Sequence, residues 1–288
     1  MIEVHRRQLL LLGAATLASR FLTACRGPAS VSSASPLRRA GANGGWATGG
    51  TASMTAKASY PNPFATTAMT PKCAMSCELM VGPCYDAQSV EQQDISYGYS
   101  GLPTRVQIRL LDESCKPISG AVVEVWHASP VGKYSGNDNA HENVPFCTEN
   151  DPDFASHLYF RGKQTSDANG IVTFDTCYPG WYSGRAIHVH AAISINGQSY
   201  LATQLCFDDT LNDEIISSQP LYDARGSLDT KNGRDGVFPP NDFADYQFQT
   251  AKMTDGALLA YKTIILRSAV DEKVCRPSGA GRPGRRDP

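Results

Sequence analysis

Apolar and polar residues alternate along most of the central chain. In Thr104-Arg105-Val106-Gln107-Ile108-Arg109-Leu110, Val106, Ile108 and Leu110 share one face while Arg105, Gln107 and Arg109 share the other, the period of a half-buried strand. After the turn residues Asp112 to Pro117, Ala121 to Trp126 reads as a second, β-branched strand. Further strands are predicted over 171–175, 187–195, 199–207 and 258–267, the first of them preceded by the turn Asp167-Ala168-Asn169-Gly170. No long apolar stripe at i, i+3, i+4, i+7 spacing occurs, and the best helix candidate, Leu211 to Ser217, is short. Strands joined by turns without intervening helices predict an all-β domain. An antiparallel β-sandwich is the leading arrangement, and a jelly roll is the other that this pattern allows.

On both sides of that domain the alternation stops. His5-Arg6-Arg7-Gln8-Leu9-Leu10 opens an apolar stretch that is interrupted by Ser19 and Arg20 and ends in Leu22-Thr23-Ala24-Cys25. The stretch is shorter than the ~20 apolar residues a bilayer-spanning helix needs, and it carries a charge. Paired arginines before a modest apolar core resemble a twin-arginine export signal. Leu-Thr-Ala-Cys resembles a lipobox whose Cys25 becomes the lipid-bearing first residue, with a plain secretory peptide cut near Ala24 as the alternative. Residues 26–72 are dominated by Ala, Gly, Ser, Thr and Pro and contain no Asp or Glu. Such a segment has too few apolar groups to offset its ordering entropy and reads as a flexible tether, although Trp46, Tyr60 and Phe64 would permit local packing. The expected organisation is an export signal over 1–24, a tether over 25–72, one domain over 73–275 and a disordered tail over 276–288. The protein is then expected in the periplasm or cell envelope, attached to a membrane through Cys25.

Charge and cysteine content fit that picture. The 288 residues carry 26 Lys and Arg against 28 Asp and Glu, a net charge of −2. The absence of a long basic run excludes a nucleic-acid backbone binder. Of nine cysteines, Cys25 belongs to the anchor and eight remain: Cys73, Cys77, Cys84, Cys115, Cys147, Cys177, Cys206 and Cys275. An even number in an exported domain reads as up to four disulfides, and the spacings select no pairing. Scattered spacing without a CxxC weighs against a Cys-rich metal site.

The sharpest local feature is Gly184-Arg185-Ala186-Ile187-His188-Val189-His190. On a strand, residues i and i+2 face the same way roughly 6.6–6.8 Å apart, so His188 and His190 can place both imidazoles on one metal. Two histidines on a solvated strand face would look the same. Tyr182 lies shortly before them in Pro179-Gly180-Trp181-Tyr182, where the Pro-Gly bend can turn a side chain toward the following strand.

Several motifs together carry a resemblance. Trp126-His127-Ala128 followed by Gly132-Lys133-Tyr134, then Pro179-Gly180-Trp181-Tyr182, Arg185 to His190 and Thr203-Gln204-Leu205-Cys206-Phe207 resemble the intradiol ring-cleavage dioxygenases, in consistent order over roughly Gly82 to Leu266. Protocatechuate 3,4-dioxygenase subunits and catechol 1,2-dioxygenases belong to that family. The resemblance implies a β-sandwich whose long loops carry a non-haem Fe(III) site, with Tyr134, Tyr182, His188 and His190 as ligands by motif position. It implies that a small aromatic diol is cleaved with O2 to a cis,cis-muconate-type product. In that scheme Tyr182 is the ligand the substrate displaces, Arg185 stabilises negative charge on the substrate, and Gln204 hydrogen-bonds in the pocket. The donor chemistry agrees, because ferric ion is hard and highly charged and phenolate, whose parent phenol has a pKa of about 10, is a hard anionic donor. Without the resemblance, Arg185 reads as a surface ion pair and Gln204 as a polar residue at a strand edge.

Two positions depart from the family pattern. Val81-Gly82-Pro83-Cys84-Tyr85 resembles a Gly-Pro-Tyr stretch with Cys84 inserted, and Cys206 takes an aromatic position. The disulfides are expected to staple the periphery rather than the site. His127, His141 and His157 are read as non-ligands and Trp126 as a core residue, with His127 pointing away from Trp126 so that one of the two faces outward or toward a loop. Two other classes compete with the enzyme: a non-catalytic β-sandwich module binding an aromatic or carbohydrate ligand, and a sandwich binding zinc or copper. Four candidate ligands together with Arg185 and Gln204 favour the enzyme.

Overall fold

The alternating segments pair into two four-stranded sheets. A computed structural model describes residues 45–65, 73–136 and 144–277. Its strands are β1 (Pro103–Leu111), β2 (Val122–His127), β3 (Arg161–Thr165), β4 (Ile171–Cys177), β5 (His188–Ile195), β6 (Gln198–Cys206), β7 (Gln249–Lys252) and β8 (Leu258–Ile265). One sheet runs β4-β1-β8-β7 and the other β3-β2-β5-β6. Neighbours are antiparallel except β1 and β8, which pair in parallel, a direction that side-chain alternation does not encode. The expected β-sandwich is therefore the observed one, with a single parallel contact.

The predicted inward faces meet between the sheets. Val106, Ile108 and Leu110 of β1 and Val172 and Phe174 of β4 pack against Val123 and Val125 of β2 and Val189, Ala191 and Ile193 of β5. This burial is the main favourable contribution to the fold, at about 25 cal/mol per Å² of apolar surface removed from water. The short helix candidate is α3 (Asp209–Ser218), preceded in the chain by α1 (Val144–Thr148) and α2 (Pro152–Ser156). The Asp208 side chain starts α3 by accepting from the backbone N–H of Thr210 and Leu211. Strands β3 and β7 escape the sequence pattern because Arg161–Thr165 and Gln249–Lys252 are short and almost wholly polar, with no apolar row to alternate.

One expectation needs correction, and two others take definite form. Residues 45–65 do not act as a tether: they lie on the outer face of the β4-β1-β8-β7 sheet. That face presents Leu259 and Tyr261, and Met54 and Phe64 cover them. Lys57 and Arg105 pair with Asp175, Tyr60 donates to Asp255, and the Arg109 guanidinium stacks on Phe64 at 4.8 Å. An apolar outer sheet face must be covered, and the scattered large residues of this stretch supply the cover.

Second, Trp126 and His127 point opposite ways as expected, Trp126 toward loops that cover the outer face of the β3-β2-β5-β6 sheet, so that both are buried. His127 faces inward, its Nδ1 donating to the Ala128 carbonyl at 2.8 Å and its Nε2 accepting from Thr176 Oγ1 at 2.8 Å. Burial pushes its pKa down to about 4, so it is a neutral structural residue. Third, of the up to four disulfides expected, three form among the described residues: Cys73–Cys115, Cys77–Cys275 and Cys84–Cys147, while Cys177 and Cys206 are buried thiols.

The end of the domain is held by Cys275 and by the ion pair of Arg276 with Glu78. The export signal over 1–24, Cys25, residues 26–44 and 66–72 of the expected tether, His141 and the tail from 278 lie outside the described residues. Among the described residues no helix is long and apolar enough to cross a membrane.

Candidate metal centre

The site is organised by one row of residues across the β3-β2-β5-β6 sheet. Register places Arg161 opposite Trp126, Trp126 opposite His190, and His190 opposite Gln204. Cross-strand partners point to the same face, so these four side chains emerge side by side on the outer face. Trp126 stacks on the His190 ring at 4.8 Å and 12° between planes, which fixes the imidazole's orientation. His188, two residues away on β5, shares that face.

Two loops bring the tyrosines over this row. Tyr134 follows a turn closed by Gly132 N–H to Ser129 O, and its own N–H donates to Cys147 O at 2.8 Å. Tyr182 follows the Pro179-Gly180 bend, where Gly180 N–H donates to Ser129 O at 3.0 Å. A Cβ on Gly180 would stand 2.2 Å from the Pro130 carbonyl oxygen, so only glycine lets the two tyrosine loops lie this close. On the far side, Gly82, at φ +86°, presses on the His190 ring, its missing Cβ falling 3.1 Å from Cε1.

Four donor atoms converge as a result. Tyr134 Oη lies 3.2 Å from His188 Nε2 and 3.0 Å from His190 Nε2, the two imidazole nitrogens are 3.0 Å apart, and Tyr182 Oη is 3.4 Å from His188 Nε2. Metal bonds to nitrogen or oxygen of roughly 2.0–2.2 Å separate neighbouring ligand atoms by about 3 Å, so the set can close on a single ion. His188 Nδ1 donates to the Ala186 carbonyl at 2.6 Å, which leaves the Nε2 lone pair facing the other donors. The four predicted ligands are thus brought together, and two phenols with two imidazoles suit a hard, highly charged ion. Among the described residues no cluster of three or more His, Cys, Asp or Glu side chains offers a conventional zinc site.

Electrostatics point the same way. Burial, reinforced by Tyr182, holds the Tyr134 phenol well above its usual range, with Arg185 and Arg161 pulling only partly against it. Burial likewise raises Tyr182, against the pull of Arg185. Burial and then the charge of Arg185 push His188 down, and burial and His188 do the same to His190, so both imidazoles are neutral. A cation in the cluster would reverse the penalty on both phenolates while meeting imidazoles already in their ligating form.

Arg185 and Gln204 lie at the edge of this cluster, as predicted. Arg185 Nη1 donates to Tyr182 Oη at 3.3 Å and its Nη2 to Gln204 Oε1, while Gln204 Nε2 donates to the Met80 carbonyl at 2.7 Å. The ion-pair partner of Arg185 is Asp235, whose side chain is wholly buried and accepts from Arg185 Nε at 2.9 Å, Ala186 N–H at 2.7 Å and Val237 N–H at 2.8 Å. Burial alone would raise the Asp235 carboxyl, but Arg185 and the two N–H groups outweigh it and hold it below the usual carboxylate range. Burial likewise disfavours charge on Arg185, and the phenol of Tyr182 with Asp235 more than offsets it.

Asp235, Arg161 and the stacking role of Trp126 were not legible in the sequence. Asp235 sits 50 residues from Arg185 in a Gly-Pro-rich loop with no pattern of its own. Arg161 is fully buried and donates to the carbonyls of Ser135 and Cys84, clamping the Tyr134 loop to the loop carrying Gly82, with its guanidinium 6.0 Å over the Tyr134 ring. Only its place on an otherwise polar edge strand could have hinted at this.

Beside the donors lies an open cavity of about 350 Å³ whose lining includes Tyr134, Tyr182 and the Cys84–Cys147 disulfide. This bridge stands within the site wall, not at the periphery as expected, because α1 folds back over the Tyr134 loop.

The sequence profile of a family described as Dioxygenase matches residues 80–251. A chlorocatechol 1,2-dioxygenase of a Pseudomonas species is 31% identical over 110 residues, 32% of this chain and 38% of that protein. The protocatechuate 3,4-dioxygenase beta chain of Burkholderia cepacia is 32% identical over 124 residues, 40% of this chain and 47% of that protein. The chain therefore spans less than half the length of these curated relatives. An intradiol ring-cleavage dioxygenase from Tetranychus urticae matches in structure with a TM-score of 0.59 at 29% identity, over 68% of this chain and 95% of that one.

Proposed function

Because this chain belongs to the intradiol ring-cleavage dioxygenase family, we propose that it opens the ring of catechol-type aromatics with O2 to cis,cis-muconate-type products, using ferric iron held by Tyr134, Tyr182, His188 and His190. The observation that carries this is the convergence of those donors: the Tyr134 oxygen and both imidazole nitrogens lie 3.0–3.2 Å apart, and the Tyr182 oxygen lies 3.4 Å from His188 Nε2. A non-catalytic binding module has no use for that set.

Bound there, ferric iron would keep both phenols ionised and draw electron density from a chelated catecholate so that O2 can react with the ring. The protein's own groups divide the remaining work. Tyr134 is enclosed and hydrogen-bonded through its backbone to Cys147, so it is the fixed phenolate. Tyr182 is half-buried on the cavity side, so its Oη is the accessible base for a substrate hydroxyl proton. Arg185 Nη1 stands 3.3 Å from that oxygen and supplies a preorganised positive charge where negative charge develops. Gln204, spanning Arg185 and the Met80 carbonyl, holds the guanidinium in place.

The test is direct. The purified protein is expected to contain about one iron per chain, to be red from tyrosinate-to-Fe(III) charge transfer, to change colour with catechol, and to place both atoms of labelled O2 in the product. A colourless protein with stoichiometric zinc, or a product lacking label, would overturn the reading.

The same reading keeps the chain outside the cytoplasm, exported by its first 24 residues and tethered through lipidated Cys25. The three disulfides support it, since such bonds persist in oxidising compartments. The full chain is expected to partition with membranes, and Cys25→Ser to move it to the soluble fraction. A wild-type chain found free in solution contradicts the anchor.

A further inference from the structure

The cavity beside the two tyrosines asks for more than a bare catechol. Its volume of about 350 Å³ falls within the roughly 300–1,000 Å³ typical of small-molecule sites, and corresponds to about a dozen waters. A catechol has only about eight heavy atoms, and its two oxygens must lie against the two tyrosines that line the cavity. The wall formed by the Cys84–Cys147 disulfide, Pro145 and Phe146 is apolar, and Phe146, 64% exposed, is the most exposed large hydrophobic side chain among the described residues. Phe146 therefore offers an incoming substituent an exposed aromatic face on the cavity wall.

The opposite wall carries charge, but it is paired. Arg225 Nη2 donates to Glu149 Oε1 at 2.7 Å, its Nη1 donates to the Val131 carbonyl at 2.6 Å, and its guanidinium lies 5.4 Å over the Trp181 ring. Arg225 and Glu149 both line the cavity, so they present it with a neutral pair, and no other cationic side chain lines it among the described residues. A carboxylate entering here would lose hydration without gaining a matched partner.

Resting on the dioxygenase reading, we propose that the substrate is a catechol bearing a bulky, uncharged, apolar substituent, which passes over the disulfide wall and packs on Phe146. The substituent is held by contact area, while the paired Arg225 and Glu149 discriminate against carboxylated catechols.

The experiment compares catechol, 4-methylcatechol, 4-phenylcatechol and protocatechuate on the iron-loaded protein, by turnover and by anaerobic titration of the visible band. The expected order of kcat/KM is 4-phenylcatechol above 4-methylcatechol above catechol above protocatechuate, with about tenfold or more between the first and third, a separation that added apolar groups can supply. Phe146→Ser is expected to shrink the ratio of 4-phenylcatechol to catechol about tenfold, mainly through KM and the titrated Kd. Glu149→Gln, which frees the cation, is expected to raise protocatechuate relative to catechol about tenfold.

Catechol or protocatechuate as the best substrate would overturn the proposal, as would a Phe146→Ser variant that lowers all substrates equally or a Glu149→Gln variant with unchanged preference. Turnover of catechol with no gain from the phenyl group sinks this inference and leaves the dioxygenase reading standing. No turnover and no colour change with any catechol sinks both.

Discussion

Replacing Tyr134 by phenylalanine is expected to leave a folded protein that has lost nearly all activity. The ring remains between Arg161, Tyr182 and His190, so packing is preserved, and only Oη, within 3.2 Å of both imidazole nitrogens, is removed. That oxygen is the enclosed anionic donor of the proposed site. Its loss should weaken iron binding by more than the roughly 10–100-fold typical of losing a mere supporting contact. We expect kcat/KM to fall at least about a thousandfold, the charge-transfer band to lose much of its intensity, and the urea midpoint to move little. Tyr182→Phe is the informative companion. It should retain more iron, because Tyr182 approaches only one imidazole, at 3.4 Å, yet still be slow for want of the accessible base. A Tyr134→Phe protein with the wild-type spectrum would remove that residue from the ligand set.

Asp235→Ala is expected to damage both stability and turnover while leaving the four donors untouched. Asp235 is buried against Arg185 and the backbone N–H groups of Ala186, Val237 and Phe238, so truncation strands a largely buried guanidinium and orphans those N–H groups. Breaking a buried pair in this way costs about 3–5 kcal/mol. The urea midpoint should fall accordingly, and kcat/KM should drop about 10²–10³-fold as Arg185 loses its aim at Tyr182 Oη, a range typical of removing a preorganised electrostatic group. Asp235→Asn, which keeps the shape and one acceptor oxygen, should recover part of the stability and less of the rate. In both variants the iron content and the red colour should persist. Loss of colour at unchanged stability would mean that Asp235 acts on the ligands rather than on Arg185.

How much of this was readable in the chain varies residue by residue. Strands β1, β2, β4, β5, β6 and β8 announced themselves because a sheet with one apolar face imposes a period of two on its own sequence. The pairing of His188 with His190 is equally local, since alternation alone puts both on one face. Tyr134, Tyr182, Arg185 and Gln204 were legible through motif order, and the structure brings all four to the two histidines. Strands β3 and β7 were silent because their short polar segments carry no apolar row, whereas β4 and β6, also at sheet edges, do. The cover laid by residues 45–65 was silent because its few large side chains are buried only by a sheet face far along the chain.

By itself, then, the sequence determined the sandwich and the strand faces and, through ordered motifs, singled out the four candidate donors. Tertiary structure alone decided the row Arg161–Trp126–His190–Gln204, the Asp235 anchor of Arg185, and the Cys84–Cys147 wall. Register, burial of a charge pair and the meeting of two loops are relations between distant segments, and they exist only once the segments are packed against one another.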